Sequence, residues 1–136
     1  MIQEEKDLLL KVLCAMLPYG VIVYHPDYDE PETLDTIFTP GAWNEGGIRC
    51  TIDDNWDSPH EIKYCKPYLR PMLSMTEEEH VKLKAAYDNG SNGLFDEYSH
   101  IDWLNANHFD YRGLIERGLA LEAPEGMYNI KEHNKI

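Results

Sequence analysis

Apolar residues recur at helical spacing near the start of the chain. Leu9, Val12, Leu13 and Met16 fall at i, i+3, i+4 and i+7, and Leu8 and Leu10 widen the stripe. This spacing predicts a helix over residues 3–17. Glu4, Glu5 and Asp7 suit the positive end of its dipole, and Pro18 with Gly20 stops it. The period then changes from helix to strand. Val21-Ile22-Val23-Tyr24-His25 is a β-branched and aromatic run closed by Pro26-Asp27. Thr33–Phe38 predicts a second strand, with Leu34, Thr36 and Phe38 on one face and Asp35 outward. Turns follow at Pro40-Gly41 and Gly46-Gly47, and Ile48–Ile52 alternates cleanly. Asp53–Pro59 is a polar loop, Glu61–Cys65 resumes the alternation, and Pro67 and Pro71 fix an extended exit. Short strands this close together imply an antiparallel meander, curled in the manner of a small barrel.

The remaining pattern is helical and polar. Ser74-Met75-Thr76-Glu77 fits a capping box, and Thr76-Glu77-Glu78-Glu79 fits it again. The helix so announced runs to Asp88, where Asn89–Gly93 breaks it, and its modest apolar content places it on the surface. A short helix is expected over Ser99–Asn107, with Ile101, Leu104 and His108 on one face. Asp110 reads as the N-cap of another, Tyr111–Arg117, ended by Gly118. Leu119–Ala123 reads as a last strand or extended arm. The fold class is therefore α+β: an N-terminal helix, a curled antiparallel sheet of about four strands, then two or three C-terminal helices. One domain is expected over residues 1–128, with a polar tail at 129–136.

A length of 136 residues and an apolar fraction of 43% suit a chain that buries its own core. Twelve basic against 25 acidic residues give a formal net charge of −13. Such a field repels phosphate backbones and anionic headgroups, so direct nucleic-acid binding and membrane association are not expected. Arg112 and Arg117 are the only basic side chains of Lys or Arg type between Gly90 and Asn129, too few for a recognition helix. The same charge allows an alternative, an acidic mimic of nucleic acid that occupies a basic groove on a host protein. Cys14, Cys50 and Cys65 are odd in number and form no C-x-x-C, which reads as buried free thiols in a reducing, cytoplasmic compartment. No leader-like segment is apparent, and Leu8–Leu17 is interrupted by Lys11 and too short to span a bilayer.

Candidate chemistry is densest at Ser99–Arg112, where His100, Asp102, His108 and Asp110 crowd together. His100 and His108 lie more than two helical turns apart, which does not suit one metal ion. Asp102 and Asp110 read as helix caps, and His108 as a packed residue at their junction. A polar site at Asp102, His108 and Asp110 serving a small enzyme is the minor alternative. Glu77 and His80 form a single E-x-x-H inside the capping box, without the second copy a di-metal bundle needs. His25, His60 and His133 are scattered over different elements. Neither catalytic residues, metal ligands nor a cofactor is assigned. The loop aromatics Trp43 and Trp56, with Tyr28, are the expected anchors for a protein partner. Self-association stays open.

Three segments together carry a resemblance. They are Leu17-Pro18-Tyr19-Gly20-Val21, Lys66-Pro67-Tyr68-Leu69-Arg70-Pro71 leading into Ser74–Glu79, and Trp103–Ile115 running on through Gly118–Pro124. In these the chain resembles small uncharacterised accessory proteins encoded by phages, prophages and mobile elements of gut bacteria. The resemblance spans most of the chain except Glu30–Asp57 and carries no catalytic residues with it. It implies a non-catalytic, protein-binding accessory role, by analogy alone.

Overall fold

The computed structural model describes residues 2–38, 48–53, 59–88 and 97–128. Helix α1 spans Gln3–Met16, and the N–H of Ile2 donates to Glu5 Oε1 at 3.1 Å. A single 3-10 turn, Leu17–Tyr19, follows it. Gly20 ends this turn at φ 69°, a left-handed conformation that costs glycine nothing. Six strands follow: β1 Ile22–Tyr24, β2 Glu32–Phe38, β3 Arg49–Ile52, β4 His60–Glu61, β5 Lys66–Leu69 and β6 Leu121–Glu122. Helices α2 (Glu77–Asp88) and α3 (Glu97–Ala106) lie between β5 and β6.

The sheet order is β4-β3-β2-β1-β5-β6. The first four strands form the expected antiparallel meander, β5 adds antiparallel to the other side of β1, and β6 lies parallel to β5. The protein is thus α+β with a mixed six-stranded sheet, in place of a four-stranded antiparallel one. It is not a barrel, because β4 and β6 are edges that do not pair with each other. The sheet is nonetheless sharply bent. In a flat sheet four spacings of about 4.8 Å would put β4 roughly 19 Å from β5. The five steps from Glu61 to Lys66 reach at most about 17 Å fully extended, and Ile62–Tyr64 form a compact 3-10 turn. One short stretch of chain can serve both β3 and β1 only if the two limbs of the sheet fold toward one another.

Three local expectations change. Of Glu61–Cys65 only Glu61 lies in a strand, as the end of β4; the middle is that 3-10 turn, and the next strand lies later, at the proline-bearing Lys66–Leu69. In β2, Leu34 faces Ile52 but Thr36 faces Thr51, so β2 holds one extra residue. This bulge reverses the alternation. Ile37 therefore packs on the core, while Phe38 is exposed. Residues 111–118 form turns in place of a helix, although Asp110 still caps them: its carboxylate accepts the N–H groups of Leu114 at 2.7 Å and Ile115 at 3.0 Å.

The core joins the stripe of α1 (Leu9, Val12, Leu13, Met16) to Val21, Val23, Leu34, Ile52 and Leu69 of the sheet and to Leu114 and Leu119. A second cluster, Met75, Leu104 and Phe109, seats α2 and α3. Cys50 and Cys65 are buried in the first core, whereas Cys14 is exposed on α1. No helix among the described residues is long and apolar enough to cross a membrane. The turns expected at residues 40–47 and 89–93 and the tail at 129–136 lie outside the described residues.

Candidate metal centre

Among the described residues, one group of three ligating side chains gathers closely. One nitrogen each from His25 and His60 and a carboxylate oxygen of Asp27 all lie within 4.8 Å of one another. His25 leaves the end of β1, and the turn after it is closed by the Tyr28 N–H donating to the His25 carbonyl at 3.0 Å. That turn projects Asp27 outward, 71% exposed, over two packed rings. His60 opens β4, and the bend of the sheet carries it across to β1. The two imidazoles stand 4.1 Å apart, centroid to centroid.

Asp27 Oδ2 lies 3.9 Å from His25 Nδ1 and 3.8 Å from His60 Nδ1. The Asp27 N–H donates to His25 Nδ1 at 3.1 Å. His25 is only 5% exposed. Burial lowers its pKa below the ordinary histidine value, the neighbouring His60 lowers it further, and Asp27 opposes both. Because Nδ1 accepts the Asp27 N–H, it carries a lone pair, as a ring that binds metal must. His60 Nε2 lies 3.2 Å from the Tyr28 hydroxyl. In the tautomer that donates Nε2–H to that oxygen, Nδ1 is bare and faces Asp27, which is how an outer hydrogen bond orients a ligand histidine. Tyr28 and Tyr64 close the edges of the His25 ring. An open cavity of about 370 Å³ lies over the cluster, its wall completed by Arg49, Glu61 and Tyr64.

Of the described residues singled out from the sequence, Tyr28 stands at this cluster, and Asp102, His108 and Asp110 sit elsewhere. Trp43 and Trp56 lie outside the described residues. Tyr28 is half-buried and touches both histidines. Asp102 is exposed on α3, and Asp110 is occupied as a cap. His108 is fully buried, its ring stacked on Tyr128 at 3.7 Å and its Nε2–H donating to the Tyr19 carbonyl at 2.8 Å. Asp110 and His108 thus hold separate structural posts, whereas Asp102, expected as a helix cap, stands exposed inside α3 and caps neither end. His25 and His60 read as scattered because they are distant in sequence and stand in different elements; only the Asp27 spacing, two residues after His25, was a local signal. No protein-family model, no curated protein and no solved structure matches the chain.

Proposed function

We propose that this protein binds a divalent first-row transition-metal ion through His25, Asp27 and His60. The observation that carries the reading is the convergence of these three donors within 4.8 Å at the mouth of a cavity. A tetrahedral ion with bonds of about 2.1 Å sets its ligands about 3.4 Å apart. The separations of 3.8 and 3.9 Å therefore need to close by about half an ångström, which an exposed aspartate on a turn can supply. In doing so the ion takes over the His25 lone pair now shared with the Asp27 N–H. Two imidazoles and one carboxylate leave a coordination position open toward the cavity, as in metal sites that polarise a substrate or bound water. The mixed nitrogen and oxygen donors suit zinc, cobalt or iron better than calcium or magnesium.

Titration of the chain with Co²⁺ and Zn²⁺ at physiological ionic strength tests this, because salt screens diffuse attraction to the acidic surface. One equivalent is expected to bind, with the visible bands of Co²⁺ in a low-coordinate site. Asp27→Asn and His60→Asn are each expected to weaken binding by about tenfold or more. Binding that is indifferent to both substitutions would overturn the assignment.

A further inference from the structure

The bend that gathers the histidines also brings Cys50 and Cys65 together in the core, with Cys50 across the β3–β4 ladder from His60. Their sulfurs lie 3.3 Å apart, and both side chains are fully buried. Cys50 is held in mid-sheet, with Ile37 of β2 opposite it on one side and His60 of β4 on the other. Cys65 is held at the end of the 3-10 turn, its N–H donating to the Ile62 carbonyl at 2.9 Å, and β5 begins at the next residue. A disulfide needs its sulfurs about 2.05 Å apart, so closure asks these two to approach by a little over 1 Å.

We propose that Cys50 and Cys65 are an oxidation site, a dithiol that a peroxide closes to an intramolecular disulfide. In the first step one of the two sulfurs, for instance Cys50, attacks one peroxide oxygen as the thiolate. The S–O bond forms, the O–O bond breaks, and the departing hydroxide takes a proton and leaves as water. In the second, the Cys65 sulfur attacks the Cys50 sulfenic acid. The S–S bond forms, the S–O bond breaks, and a second water leaves with the Cys65 proton. The two thiols together lose two electrons and two protons, and the peroxide is reduced to two waters. A peroxide is small enough to enter when the two-residue edge strand β4 opens locally. The product ties β3 to the start of β5 and so locks the bend.

The test uses the full chain carrying Cys14→Ser, which removes the exposed third thiol. The folded protein is treated with hydrogen peroxide in the presence of a chelator, unfolded, alkylated and weighed, then digested for peptide mapping. The expected result is a chain lighter by one hydrogen molecule, closed to alkylation, with a Cys50–Cys65 cross-link that dithiothreitol reverses. A parallel Cys50→Ser sample is expected to leave Cys65 open to alkylation. Alkylation of both thiols after peroxide, or over-oxidation of one sulfur without the cross-link, would overturn the proposal.

Discussion

Glu79 carries two roles on one carboxylate. Its Oε1 accepts the Thr76 N–H at 3.0 Å while the Thr76 hydroxyl accepts the Glu79 N–H at 3.1 Å, a reciprocal cap at the start of α2. The same carboxylate receives both terminal nitrogens of Arg70, at 2.8 and 2.6 Å, and the guanidinium lies over the Phe109 ring. The two side chains are 12% and 7% exposed. Removing one partner leaves a poorly solvated charge, so Glu79→Ala is expected to cost about 3–5 kcal/mol in urea unfolding. Burial pushes the Glu79 pKa up, but the Arg70 hydrogen bonds and the Thr76 N–H more than offset it, and the net shift is downward. A carboxylate whose folded pKa is depressed contributes stability that is present above the unfolded value of about 4.3 and is lost as pH falls toward the folded value. Urea midpoints measured from pH 6 downward should therefore fall more steeply for the native chain than for Glu79→Ala, roughly from the unfolded glutamate pKa of 4.3. Parallel curves would remove Glu79 from the acid transition.

At the scale of elements, the end of α3 makes a comparable demand on one residue. His108 adopts φ 61° just past the helix, while Phe109 N–H reaches back to the Leu104 carbonyl at 3.0 Å. Glycine or asparagine is usual at such a terminus. Here the ring compensates, since it stacks on Tyr128 and ties α3 to the Tyr19 carbonyl beyond α1. His108→Ala keeps the strain and loses the ring, for an expected cost of about 3–5 kcal/mol. His108→Gly loses the ring but relieves the backbone, so it should be more stable than the alanine variant by about 1 kcal/mol. The reverse order in chemical unfolding would show that the left-handed geometry carries little strain. These details mark the limit of what the sequence makes legible. The stripe of α1, the cap at Thr76 and the strand at β3 are local signals, and each matches its element. Thr51, however, is buried along with Cys50 and Ile52 and so breaks the expected alternation. The bulge in β2 is not local, because it is defined only by the partner strand, and so Phe38 was expected inside. The 3-10 turn at Ile62–Tyr64 interrupts an alternating run that has no residue to announce it. The His25–Asp27–His60 cluster was the least legible feature, because it depends on the bend of the sheet and neither histidine carries that information.

For the molecule as a whole, charge and topology act at long range. A net charge of −13 repels itself more in the compact chain than in the unfolded one. Raising sodium chloride from about 0.01 to 0.3 M shortens the screening length severalfold. With a chelator present throughout, the melting temperature should rise by a few degrees across that range. A fall would mean that favourable ion pairs such as Arg49–Glu61 outweigh the repulsion. The Tyr128 hydroxyl acts over the longest separation of any side-chain bond described. It accepts the Ile22 N–H at 2.8 Å, across 106 positions, and donates to the Tyr68 carbonyl at 2.8 Å. On a ribosome adding about 5–20 residues per second, β1 waits roughly 5–20 s for that oxygen to be made. Until then the sheet lacks this tie, and its last native contacts can close only after Tyr128 has left the exit tunnel. Translation itself therefore sets the earliest moment at which this fold can be complete, and slower synthesis lengthens its exposure to chaperones and proteases.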